Sequence, residues 1–141
     1  MSERPRKSTT ERIPPDHVGV LIAAVVMFLT GWGGLYVLIT ASIPRIGGPL
    51  WLFFILLHIA TTGTAVPFVR YLNVRFTPVT RELPPGGIIV RQSVWVGLFI
   101  VACAWLQIPR VLSVPIALLL ALVFIVIEVF LRFREIANER E

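Results

Sequence analysis

His58, Thr61 and Thr62 are the residues of this chain with the clearest capacity for chemistry. They sit inside a long apolar run at i, i+3 and i+4, so on a helix they share one face. Gly63 and Pro67 follow, and the missing proline N–H deprives the Gly63 carbonyl of its helical donor. An imidazole, two hydroxyls and a loosened backbone offer a seat for a proton, a cation or a polar substrate. The plainer account gives His58 one interhelical hydrogen bond and ties the threonine hydroxyls to their own backbone. The plainer account is preferred, because an intramembrane histidine that serves a function needs a partner and the sequence names none.

Glu128, Arg91 and Arg132 form the second constellation. Glu128 lies near the end of the last apolar run, one turn before Arg132. Arg91 enters the third run at a similar depth, with Gln92 and Ser93 beside it. Pairing Glu128 with Arg91 or Arg132 would neutralise charge near the membrane interface. A carboxylate coupled to proton transport is the sharper alternative, but Glu128 is not central and has arginines at hand. His58 and Glu128 differ in depth by roughly 13 Å at about 1.5 Å per residue, so they are not expected to touch.

Other chemistries find little support. The second histidine, His17, sits at the start of the first run, too far from His58 in depth for bis-histidine haem ligation. A pigment held by His58 alone is conceivable. Cys103 is the single cysteine, which precludes an internal disulfide and paired-cysteine metal sites. Ser42, Ser93 and Ser113 fall at expected helix ends with no histidine at their depth, and Asp16 is the sole aspartate. Neither a metal-ligand cluster nor a phosphate-binding glycine loop is present, because Thr30–Gly34 lies within a helix. The expectation is a protein that is not an enzyme and carries no cofactor.

The elements that must position these residues are four apolar runs, 18–40, 50–72, 88–106 and 111–131. Each approaches the ~20 residues that cross a bilayer. Hydrophobic residues make up 56% of the chain and the mean hydropathy is +0.83, values that a soluble domain does not reach. The fold expected is an all-α membrane protein, an up-down-up-down bundle of four transmembrane helices spanning residues 18–132. A polar tail (1–17), disordered in isolation, precedes it, and a short charged tail (133–141) follows. The first run is too long for a signal peptide and lacks a small-residue cleavage site, so it is expected to stay in place.

Alternating helices put Arg4, Arg6, Lys7, Arg12, Arg70, Arg75, Arg81, Arg91, Arg132, Arg134 and Arg140 on one side and only Arg45 and Arg110 on the other. Retention of basic residues on the cytoplasmic face makes both termini cytoplasmic, in a plasma membrane. The net charge of +5 is thus a topology signal with anionic lipid contact as a consequence, and no nucleic-acid partner is expected. Trp51, Trp105 and Tyr36 fall toward the outer ends of their runs, Tyr71 and Trp95 toward the inner side, as interfacial aromatics do.

A faint repeat runs through the chain. Glu11-Arg12-Ile13-Pro14-Pro15 precedes the first run and Arg81-Glu82-Leu83-Pro84-Pro85 the third; Ile43-Pro44-Arg45 matches Ile108-Pro109-Arg110 in the outer turns. Two parallel copies of a helical hairpin would account for this, as would the ordinary collection of prolines at membrane-helix ends. On the first run, Gly19, Ala23, Thr30 and Gly34 have small-xxx-small spacing and point to close contact with another helix, in this chain or a partner. That first helix has no carboxylate, which separates the chain from the four-helix small multidrug exporters. The function expected is a non-catalytic accessory or structural subunit that lies in the bilayer and packs against other membrane proteins or itself. The alternative is a small oligomeric transporter or channel using His58, Thr61 and Thr62.

Overall fold

The computed structural model describes residues 15–41, 47–76 and 85–138, and every regular element among them is an α-helix. These are α1 (Pro15–Ala41), α2 (Gly48–Phe76), α3 (Gly86–Gln107) and α4 (Val114–Asn138). All four are long and apolar enough to cross a membrane. The four-helix, all-α architecture expected from the apolar runs is therefore present.

Helix ends follow local chemistry more than hydropathy. α1 begins at Pro15, where a fixed φ and an absent N–H suit the first helical position. Gly47 precedes α2 with φ 147°, a conformation open to glycine, and its carbonyl accepts from Leu50 N at 3.1 Å. α2 runs on to Phe76, four residues past the expected end, because Asn73-Val74-Arg75-Phe76 contains no helix breaker. α3 closes with Arg110 at φ 55°, while Val111 N and Leu112 N donate to the Leu106 carbonyl at 3.2 and 3.3 Å. This left-handed closure spends Val111–Ser113 outside the helix, so α4 starts at Val114 rather than 111. The Ser113 carbonyl then accepts from Ala117 N at 2.9 Å. At the far end α4 continues to Asn138, into the segment expected to be a tail. The tail residues 1–14, most of the first outer turn (42–46) and the inner loop 77–84 lie outside the described residues. With them go most of the sequence motifs that suggested a repeat.

α2 lies between α1 and α3, and α4 approaches only α3 closely. Gly34 faces Leu56, Gly31 faces Ala60 and Gly63 faces Ala24 to Phe28. On the other side of α2, Trp105 stacks near Trp51 and Phe54, Gly97 meets His58 and Thr62, and Gln92 meets Asn73. Between α3 and α4, Phe124 packs on Trp95 and Phe99, and Arg91 meets Glu128.

Much of what is buried is small, with Leu35, Phe54, Val69 and Ile89 the larger exceptions. α2 hides Ala60, Thr61, Thr62, Gly63, Ala65 and Val66, while Phe68, Trp51 and Ile55 point outward. Lipid is as apolar as leucine, so helices that span a bilayer associate through close backbone approach more than through hiding large side chains. At Gly31 an added methyl would collide with the Ala60 backbone, and at Gly63 it would lie 2.6 Å from Phe28 N. Backbone thus meets backbone along α1 and α2. Trp32 Nε1 donates across the same seam to Thr64 Oγ1 at 3.1 Å.

Candidate functional site

The polar residues singled out within the second apolar run all lie on α2, but they divide by partner. Thr61 Oγ1 donates to the Leu57 carbonyl at 2.7 Å and reaches the His58 carbonyl at 3.2 Å, so its hydroxyl is committed to its own helix. Thr62 is 1% exposed, and its Oγ1 has no hydrogen-bond partner. His58 Nδ1 is likewise buried without one. Both atoms lie against Gly97 of α3. A methyl there would overlap Thr62 Oγ1 and sit 3.1 Å from His58 Nδ1. The polar pair therefore exists because residue 97 has no side chain.

Gly97 belongs to a stripe on α3 made of Gly86, Ile89, Ser93 and Gly97, all buried. Ser93, expected at a helix end, is fully buried, and its hydroxyl donates to the Ile89 carbonyl at 2.8 Å. Small-residue spacing on α3 (Ser93-xxx-Gly97) was available in the sequence as a packing signal. The same spacing on α1 proved a weaker guide. Gly34 does meet α2, where a methyl added to it would lie 2.8 Å from Leu56 Cδ2, but Gly19, Ala23 and Thr30 are exposed. Thr30 Oγ1 donates to the Val26 carbonyl at 2.7 Å. Within this chain the close approach uses Gly31 and Gly63, and the face of α1 that carries Gly19 and Ala23 is not the one that meets α2.

The second constellation comes together at the α3–α4 contact. Arg91 Nη2 donates to Glu128 Oε1 at 3.1 Å, and Arg132 Nε lies 3.6 Å from the same oxygen. One carboxylate thus faces two guanidiniums. Nearby, Asn73 Nδ2 donates both to the Val69 carbonyl and to Gln92 Oε1, each at 2.9 Å. The Asn73–Gln92 link escapes a reading that ends α2 at residue 72. Glu128 meets α3 six residues before Gly97, about 9 Å along the helix, so the histidine and the carboxylate occupy separate layers.

No protein-family model, curated protein or solved structure matches this chain. The chemistry has to be argued from geometry. Among the described residues no three His, Cys, Asp or Glu side chains gather as a metal site, and Cys103 is a free, half-buried thiol. His17 is buried on α1. The arrangement offers a tight apolar seam with one unsatisfied imidazole–hydroxyl pair, and a charged triad at one end of α3 and α4.

Proposed function

We propose that this chain is a non-catalytic subunit of a membrane assembly, built to pack against other membrane helices. The observation that carries the reading is the uneven packing of the four helices. α1 and α2 meet backbone to backbone and Gly97 of α3 packs on the His58 and Thr62 side chains of α2, whereas α4 touches only α3 closely and exposes Leu118, Leu122, Ile125, Val126 and Phe130. α1 also turns Gly19, Ala23 and Thr30 outward, where another helix could approach as closely as α2 does on the other face. The proposal includes an up-down-up-down traversal of the plasma membrane with both termini cytoplasmic, supported by the 11-to-2 division of basic residues in the sequence. Mild extraction from the source membrane followed by native mass spectrometry tests it. Co-release with other polypeptides at fixed stoichiometry is expected; a chain that emerges only as a monomer refutes the assembly reading.

A second reading, transport of a proton or small polar solute, has one observation in its favour. His58 Nδ1 and Thr62 Oγ1 are buried and unsatisfied side by side, which is costly in an apolar medium and is relieved by a bound water or proton. His58→Ala separates the two readings. It abolishes flux in a transporter and leaves a packing subunit assembled.

A further inference from the structure

Where α1 and α2 touch backbone to backbone, α3 and α4 are held apart. Trp95 and Phe99 meet Phe124 edge to face, with centroids 5.4 and 6.2 Å apart, and these rings act as spacers. The result is a groove of about 390 Å³, within the range of sites that hold small ligands. Its walls are apolar along most of its length, through Trp95, Phe99, Phe124 and Ile125. Its polar lining, Gln92, Glu128 and Arg132, collects toward one end. Along α4 the lining runs from Ala121 to Arg132, about 16 Å of helix.

Two lining residues carry buried polar atoms without a partner: the Trp95 indole N–H, a donor, and Glu128 Oε2, an acceptor. Arg132 is half-exposed at the polar end and shares the Glu128 carboxylate with Arg91, so its charge is only partly offset. An occupant that suits this site has an apolar chain, an acceptor near the indole, a negative charge near Arg132 and a donor for the carboxylate. We propose that the α3–α4 groove binds one phospholipid whose headgroup bears a hydrogen-bond donor, an ammonium or a hydroxyl. The phosphodiester faces Arg132, an ester carbonyl accepts from Trp95, the headgroup donor meets Glu128, and an acyl chain lies along Phe99 and Phe124. Trimethylammonium headgroups have no N–H or O–H and leave Glu128 Oε2 unsatisfied. The inference needs only that the helices span a bilayer and does not depend on the subunit reading.

The test is native mass spectrometry of the full-length protein in mild detergent, titrated separately with phosphatidylethanolamine, phosphatidylglycerol and phosphatidylcholine of identical acyl chains. Expected is one retained lipid per chain for the first two. Phosphatidylcholine should bind about tenfold more weakly, the worth of one hydrogen bond to a charged group. If ethanolamine and glycerol headgroups differ, the tighter one identifies the donor as ammonium or hydroxyl. Ala121→Trp, which fills the groove, should abolish retention. Val123→Trp, on α4 but outside the lining, should not. Should Ala121→Trp fail to fold by circular dichroism, Arg132→Gln serves instead, with an expected loss of about tenfold for both donor-bearing lipids. Equal retention of all three lipids overturns the proposal, as does undiminished binding in a folded Ala121→Trp or Arg132→Gln variant. Release of a non-phospholipid amphiphile in place of these lipids, or a dimer with no lipid retained, overturns it too.

Discussion

A single methyl group at Gly63 should separate α1 from α2. In the native seam, a Cβ on residue 63 would lie 2.6 Å from Phe28 N and 2.9 Å from the Ala24 carbonyl oxygen. Comfortable contact begins near 3.5 Å, so Gly63→Ala must push the backbones apart by roughly 1 Å, and a gap of that size forfeits up to about half of each dispersion contact. The obstructing atoms are backbone on both sides, so no rotamer change relieves the clash. The same shift would stretch the 3.1 Å bond from Trp32 to Thr64 beyond hydrogen-bonding distance. Overpacking costs typically 1–3 kcal/mol and the lost bond about 1, against a gain of about 1 from replacing glycine in a helix. The expected net loss is roughly 1–3 kcal/mol, or about 5- to 150-fold in the unfolding constant. Gly33→Ala is the matched control, because a methyl there meets nothing within 4 Å and only the helix gain of up to about 1 kcal/mol applies. Unfolding in mixed micelles of increasing SDS content, followed by tryptophan fluorescence, reads the difference. If Gly63→Ala unfolds at the same SDS fraction as Gly33→Ala, backbone contact is not what holds α1 to α2, and the reasoning fails.

Gly97→Ala should likewise destabilise, through collision with Thr62 Oγ1 and His58, and adding Thr62→Ala should recover most of the loss; equal stability of the single and double variants in the same assay would contradict this. A double-mutant cycle over Arg91→Gln and Glu128→Gln should give a coupling of about 0.5–2 kcal/mol, since the side chains are 26% and 18% exposed and only partly screened. A coupling of zero would mean the pair merely sits together. Arg110→Gly should stabilise by about 1 kcal/mol through relief of the left-handed backbone at φ 55°, measured by thermal unfolding in detergent. In a Cys103→Ser background, Ser113→Cys should react with a membrane-impermeant thiol reagent on intact cells and Ser2→Cys only after lysis; the reverse pattern would invert the proposed topology.

Four helices were legible because hydropathy and length alone demand them: a stretch of ~20 apolar residues satisfies its backbone polar groups in lipid only as a helix. Their ends were less so. Hydropathy marks where a segment leaves the apolar layer, but α2 and α4 continue until the local residues stop favouring helix, at Phe76 and Asn138. The two hairpins that share proline motifs also pack differently. Gly31 and Gly63 close the first, while Trp95, Phe99 and Phe124 hold the second open. That difference lies in side-chain volume at facing positions, which sequence spacing does not pair.

The candidate sites divide the same way. That Glu128 should face an arginine follows from the cost of an unpaired charge near lipid, and the residues within reach were few. Which side of α1 would be used was open, because small residues occur on two faces of that helix and only the position of α2 selects Gly31 over Gly19. The same is true of His58: its neighbours along α2 are fixed by the 3.6-residue turn, but its packing against Gly97 depends on how α3 docks. By itself the sequence determined that this protein is helical, with four helices long and apolar enough to cross a membrane, since those properties rest on local composition and backbone hydrogen bonding. The tertiary structure alone decided which polar atoms are buried without partners and where the groove opens, because both depend on residues from different helices meeting at one depth.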